Sequence, residues 1–167
     1  LVLTKEVDNF EKKISQYTGS KYCLGLNSGT DALLMSLLAS GIKRGDEVIT
    51  SPISFIASTS SIIHVGAKPV FVDVKNDLNI NPDLIEKAIT KKTKAILPIH
   101  WTGRLCNMEK ILKIAKKYNL TVIEDAAQAM GAYYKKKHAG TFGEIGSLSF
   151  NGNKIITTGG GGACITN

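Results

Sequence analysis

Five short apolar runs, at residues 22–26, 47–50, 70–74, 94–99 and 120–124, alternate with stretches whose apolar residues recur at three- and four-residue steps. This alternation limits the fold more than any other feature. Strands separated by helices of ten or so residues cannot close as tight hairpins, so they form βαβ units. The expectation is an α/β fold: a three-layer αβα sandwich around a mostly parallel sheet. Val7, Phe10, Ile14 and Tyr17 mark a first helix that stops at Gly19, and residues 32–39 a second, ended by Gly41. Further helices are expected at 55–65, at 81–89 and at 108–118; Asn81 caps the second of these and Pro82 sits in its first turn. After Asp125 glycines become frequent, and short strands at 147–150 and 163–166 flank a glycine run. No repeat or low-complexity linker divides the chain, which reads as one domain.

A chain of 167 residues with 43% hydrophobic and 21% charged residues can bury one substantial core. No apolar run reaches the roughly 20 residues that span a bilayer, and no leader pattern stands at the start, so no membrane partner and a cytoplasmic location are expected. Cys23, Cys106 and Cys164 are odd in number and scattered, which disfavours a disulfide framework. His64, His100 and His138 are too dispersed for a zinc motif, and no metal is expected. The net charge of +7 comes almost wholly from lysines in short clusters without interleaved aromatics. Such clusters read as solvated loops and helix ends, and no nucleic-acid partner is expected. Leu1 is not a methionine and Asn167 closes an apparent strand, so the sequence reads as a piece of a longer protein.

In open parallel sheets, ligands gather beyond the carboxyl ends of strands, and three groups sit at such ends. Asn27-Ser28-Gly29-Thr30 lies between a strand and a helix; it is either a phosphate site or a plain helix cap. Glu124-Asp125 closes an apolar strand, and a carboxylate there pairs with a ligand cation or joins a buried ion pair. Gln128 lies three residues on, where a helical turn would bring it to the same side. The third group runs from Ser149 to Lys154 and on to four glycines, 159–162. A lysine held between a strand and a glycine loop can serve as an amine nucleophile, or be one more surface lysine. No P-loop or dinucleotide fingerprint is present: the glycine run leads to Ala163-Cys164, and Gly25 and Gly29 stand at the wrong interval.

Together these segments resemble the sugar aminotransferases of the DegT/StrS type, pyridoxal-phosphate (PLP) enzymes of fold type I. The matching stretches, in order, are residues 27–33, 51–55, 69–74, 124–132, 140–143 and 149–162. The resemblance implies that residues 1–167 are the PLP-binding large domain, incomplete without a smaller C-terminal domain, of a homodimer with shared active sites. It implies that Lys154 joins the cofactor covalently, that Asp125 pairs with the pyridine nitrogen and that Gln128 contacts the ring hydroxyl. Phe55 would stack on the ring, and Gly29, Thr30 and Ser149 would bind the phosphate. The implied reaction transfers an amino group from an amino-acid donor, glutamate, to a nucleotide-linked keto sugar, a 4-keto-6-deoxy or 2-acetamido hexose. A lysine at 154 favours amino transfer over the dehydration carried out by relatives with histidine there.

There are departures from the family pattern. Gly160 stands where glutamate is usual, Asn151-Gly152-Asn153 replaces a His-Pro-x run, and His100-Trp101-Thr102-Gly103-Arg104 replaces His-Leu-Tyr-Gly-Gln. The first removes any role of that carboxylate; the other two bear on sugar choice more than on the reaction. Two readings from other classes stand beside this one: a non-catalytic nucleotide-binding or regulatory module on the same fold, which would tolerate loss of Lys154 and Asp125, and a dinucleotide-dependent oxidoreductase.

Overall fold

The structure, a computed structural model, describes residues 4–167. Helix α1 (Lys5–Thr18) ends where Gly19 turns left-handed at φ 73° and donates its N–H to the Ser15 carbonyl. Strand β1 (Tyr22–Leu26) then leads into α2 (Gly29–Ala39), which starts three residues earlier than its apolar spacing suggests because the Ser28 hydroxyl caps the Asp31 N–H. There follow β2 (Glu47–Thr50), α3 (Ile56–His64), β3 (Lys68–Phe71), α4 (Pro82–Ala88), β4 (Thr93–Leu97), α5 (Met108–Tyr118) and β5 (Thr121–Asp125). Strand β3 ends earlier than its valine run suggests. Val72 still donates to Thr50, but Val74 turns to bridge Ile80.

The C-terminal stretch contains a two-stranded ribbon, β6 (Tyr133–Tyr134) with β7 (Lys137–His138), then β8 (Ile145–Ser149) and β9 (Gly162–Thr166). The apolar pattern gives no sign of this ribbon, and the lysine cluster 135–137, expected as a solvated loop or helix end, forms its turn and the start of β7. Lys135 and Lys136 turn it with φ of 47° and 64°, a geometry usually signalled by Asn-Gly.

The seven-stranded sheet runs β1-β9-β8-β5-β4-β2-β3. From β8 to β3 every pairing is parallel, and only β9 runs against its neighbours. Successive strand residues point to opposite faces. Val48, Ala95, Leu97 and Ile123 pack with Leu33, Leu37 and Ile62 of α2 and α3. Ile49, Ile96 and Val122 pack with Ile85 and Ile111 of α4 and α5, while Leu148 and Ile165 pack with Ile14 of α1. The result is the three-layer αβα sandwich with a mostly parallel sheet.

The parallel strands all deliver their carboxyl ends to one edge of the sheet. Among the described residues no helix is long and apolar enough to cross a membrane.

Candidate active site

At that edge lies a cavity of about 320 Å³, within the range of small-ligand sites. Its lining includes all seven residues singled out in the sequence: Gly29, Thr30, Phe55, Asp125, Gln128, Ser149 and Lys154. They come from four separate segments, the start of α2 after β1, the stretch after β2, and the ends of β5 and β8 with the loops that follow, and only the parallel topology brings them together.

Ser28 and Gly29 form the first wall. The Ser28 hydroxyl takes the Asp31 N–H at 3.0 Å and its carbonyl takes the Ala32 N–H at 3.0 Å, so the amides of Gly29 and Thr30 remain for a ligand at the positive end of α2. Gly29 is packed so tightly that a Cβ there would sit 2.7 Å from the Ser149 Cβ. That closeness is what puts the Ser149 hydroxyl beside the helix start.

Asp125 forms the floor. It is 6% exposed, at the carboxyl end of β5 between β8 and β4. One carboxylate oxygen accepts the Ser58 hydroxyl at 2.7 Å and the other the Ala127 N–H at 3.1 Å. No basic side chain pairs with it among the described residues. A buried carboxylate with hydrogen bonds but no counter-ion favours a cationic ligand.

The preceding residue has a different task. Glu124 is fully buried on the opposite face, where it accepts His100 Nε2–H at 2.7 Å and the amides of Gly140, Phe142 and Gly143 at 2.9, 2.6 and 2.6 Å. Burial alone would raise its pKa, but the bond from His100 and the amides of Gly143 and Gly140 outweigh it and hold the carboxyl below its ordinary value. Burial disfavours charge on the His100 ring, but the Cys106 side chain and the Glu124 carboxylate outweigh it and push its pKa upward. Yet Nδ1 already accepts the Cys106 N–H at 3.2 Å, so the ring donates from Nε2 as a neutral imidazole. Of the two carboxylates left open by the sequence, Glu124 joins a buried network and Asp125 faces the cavity.

Lys154 lies half-buried in the loop between β8 and β9. Its N–H bonds the Asn151 carbonyl at 3.0 Å, and two bonds clamp the loop: Phe150 N–H to Gly161 at 2.9 Å and Thr158 N–H to Phe150 at 3.0 Å. Phe55 is not a core residue. It is 64% exposed, immediately precedes α3 and stands at the cavity mouth.

Gln128 reaches the cavity through turns rather than the helical turn anticipated. Its carbonyl oxygen takes the Thr102 N–H at 2.9 Å, which leaves the NH₂ group free to donate into the cavity. Thr102 adopts φ 55° to make this bond, a strained conformation for a β-branched residue.

Ser58 and Ala127, to which the sequence assigns no role, also line the cavity, as do His100, Trp101, Asn151 and Asn153 from the segments tied to sugar choice. Ser58 gives no local signal, because α3 carries several serines and only the sheet geometry selects one.

The sequence profile of the DegT/DnrJ/EryC1/StrS aminotransferase family matches residues 1–167. A GDP-perosamine synthase from Caulobacter vibrioides is 48% identical over 161 residues, covering 95% of this chain and 43% of that protein. A dTDP-3-amino-3,6-dideoxy-alpha-D-galactopyranose transaminase from Aneurinibacillus thermoaerophilus is 49% identical over 150 residues, 89% of this chain and 41% of that protein. The PLP form of Spr1654 from Streptococcus pneumoniae, assigned as a sugar aminotransferase, superposes with a TM-score of 0.94 at 32% identity, covering 100% of this chain and 47% of that one. The chain thus spans less than half the length of the relatives it matches.

Proposed function

Because the chain belongs to the DegT/DnrJ/EryC1/StrS aminotransferase family, whose members are PLP-dependent, we propose that it is the cofactor-binding large domain of an enzyme that aminates a nucleotide-linked keto sugar. The observation that carries this reading is an amine and an unpaired buried carboxylate, Lys154 and Asp125, lining one cavity. The additional length of the relatives leaves room for the rest of this large domain and for a smaller C-terminal domain, both part of the proposal.

The residues present fit the cofactor. Its phosphate matches the free amides of Gly29 and Thr30 and the Ser149 hydroxyl. Its basic ring nitrogen matches Asp125, and its aldehyde matches an amine. When bound, PLP supplies an electron sink for the carbon that loses a proton. The Asp125 carboxylate holds a proton on the ring nitrogen, which that sink requires. Lys154 Nζ, the amine in this cavity, would be the group that accepts and returns the proton of the substrate carbon. Gly29, Thr30 and Ser149 would anchor the phosphate, Gln128 would donate its NH₂ to the ring hydroxyl, and Phe55 would cover the ring and exclude water.

Glutamate is the proposed donor, and a 4-keto-6-deoxy or 2-acetamido hexose the proposed acceptor, following the family resemblance. The GDP- and dTDP-sugar relatives support a nucleotide on the acceptor. Homodimerisation is part of the proposal. Met35 and Leu38 on α2 and Ile56 and Ile63 on α3 are 43–67% exposed, and these two packed helices offer an apolar surface to a second copy. Three free cysteines support a reducing, cytosolic setting.

The test uses the full-length protein in its pyridoxamine form, offered nucleotide-linked 4-keto-6-deoxy and 2-acetamido hexoses. Formation of an amino sugar with return of the cofactor to its aldehyde form supports the proposal. Failure of both sugar classes, with glutamate also unable to regenerate the pyridoxamine form, would overturn it.

A further inference from the structure

We propose that Ser58 is a positioning residue for the cofactor, acting through Asp125; this inference rests on the PLP reading above. Ser58 is 1% exposed and lies on the face of α3 turned toward the sheet. Its hydroxyl donates to Asp125 Oδ2 at 2.7 Å, the length of a strong charge-assisted bond. Buried helical serines commonly donate to the carbonyl four residues back, as Ser36 does to Ala32 at 2.7 Å. Ser58 instead donates across layers to the carboxylate.

The geometry gives this bond a definite task. The other anchor of Asp125 is the Ala127 N–H to Oδ1, which comes from the same stretch of chain and moves with it. That single bond leaves the carboxylate free to rotate about its last torsion. Ser58 approaches from another layer of the sandwich, and the two donors together fix the plane of the carboxylate. The plane matters because the ring nitrogen must meet an oxygen lone pair within the plane of the carboxylate. Ser58 also lies one helical turn beyond Phe55, which stands at the cavity mouth. One short helix therefore carries both the aromatic cover and the group that orients the acid.

The test is a PLP titration of the full-length protein in a double-mutant cycle. Loss of a hydrogen bond to a charged group weakens binding by about tenfold or more when its effect falls on the ligand. Ser58→Ala should weaken PLP binding by about tenfold in the parent and scarcely at all when combined with Asp125→Ala. Ser58→Thr, which keeps the hydroxyl, should recover most of the loss. If Ser58→Ala does not fold, the isosteric pair Ser58→Thr and Ser58→Val gives the same comparison, with only the hydroxyl-bearing member retaining affinity.

Parent-like affinity in Ser58→Ala, or an equal loss with and without Asp125, would overturn the inference and leave the cofactor reading intact. Parent-like affinity in Asp125→Ala would instead overturn the cofactor reading itself.

Discussion

The Glu124 carboxylate and the His100 imidazole meet at 2.7 Å with neither side chain exposed, one residue away from the acid that faces the cavity. Glu124 accepts three backbone amides as well, so it ties β5 to the 140–143 loop and to the segment after β4. Glu124→Ala would leave four donors without an acceptor, two of them buried and two half-buried. It should destabilise the protein by about 3 kcal/mol or more, measured by urea denaturation.

The same residue sets a pH dependence. Glu124 has a lower pKa folded than unfolded, so its contribution is fully present above the ordinary carboxylate value of about 4.3 and is lost as pH falls through its lowered folded value. Glu124→Gln should be less stable at neutral pH and should lose less on acidification. The difference in unfolding free energy between parent and variant, followed from pH 7 downward, checks this.

His138 gives a second, milder acid effect. Burial holds its imidazole below the usual value, opposed by the bond to the Ala139 carbonyl, while Nε2 accepts the Gly131 N–H at 2.9 Å. Unfolded chain takes up a proton as pH falls through about 6.5, and the folded ring resists it. Stability should therefore decline below that pH, and His138→Gln should flatten the decline while lowering stability at pH 7.

Gly29→Ala should disturb the phosphate wall. Its Cβ would lie 2.7 Å from the Ser149 Cβ and force the two segments apart. PLP affinity of the full-length variant should fall by about tenfold or more, with a smaller change in overall stability. Gly162→Ala is a contrasting case. Its Cβ would collide with the Ser28 carbonyl oxygen, a backbone atom. It should cost about 3 kcal/mol or more in folding, read by urea denaturation.

Thr102→Gly should release strain. A β-branched residue at φ 55° costs more than glycine there, so the variant should gain about 1 kcal/mol in stability. The N–H to Gln128 survives the change, and parent-like PLP affinity would show that the backbone, not the threonine side chain, positions Gln128.

Much of this was legible in the chain. Strand β1, strand β2 and helix α5 lie where the apolar pattern puts them, because each is a local run with its own stop signal. The Asn81 cap and Pro82 start of α4 are also local chemistry. What stayed hidden depends on distant partners or on unusual backbone. Ser58 matters only because the layering of α3 on β5 brings it to Asp125. The Lys135-Lys136 turn uses residues that rarely adopt positive φ, so no composition signal announces it. Gln128 reached the cavity as anticipated, but by turns, since the chain after Asp125 does not continue as a helix.

The most direct test of the central claim is reductive trapping. Full-length protein is mixed with PLP, reduced with borohydride and mapped by mass spectrometry. The account predicts the cofactor's mass on the peptide that contains Lys154, and its loss in Lys154→Ala. Labelling confined to other lysines, or unchanged in that variant, would contradict it.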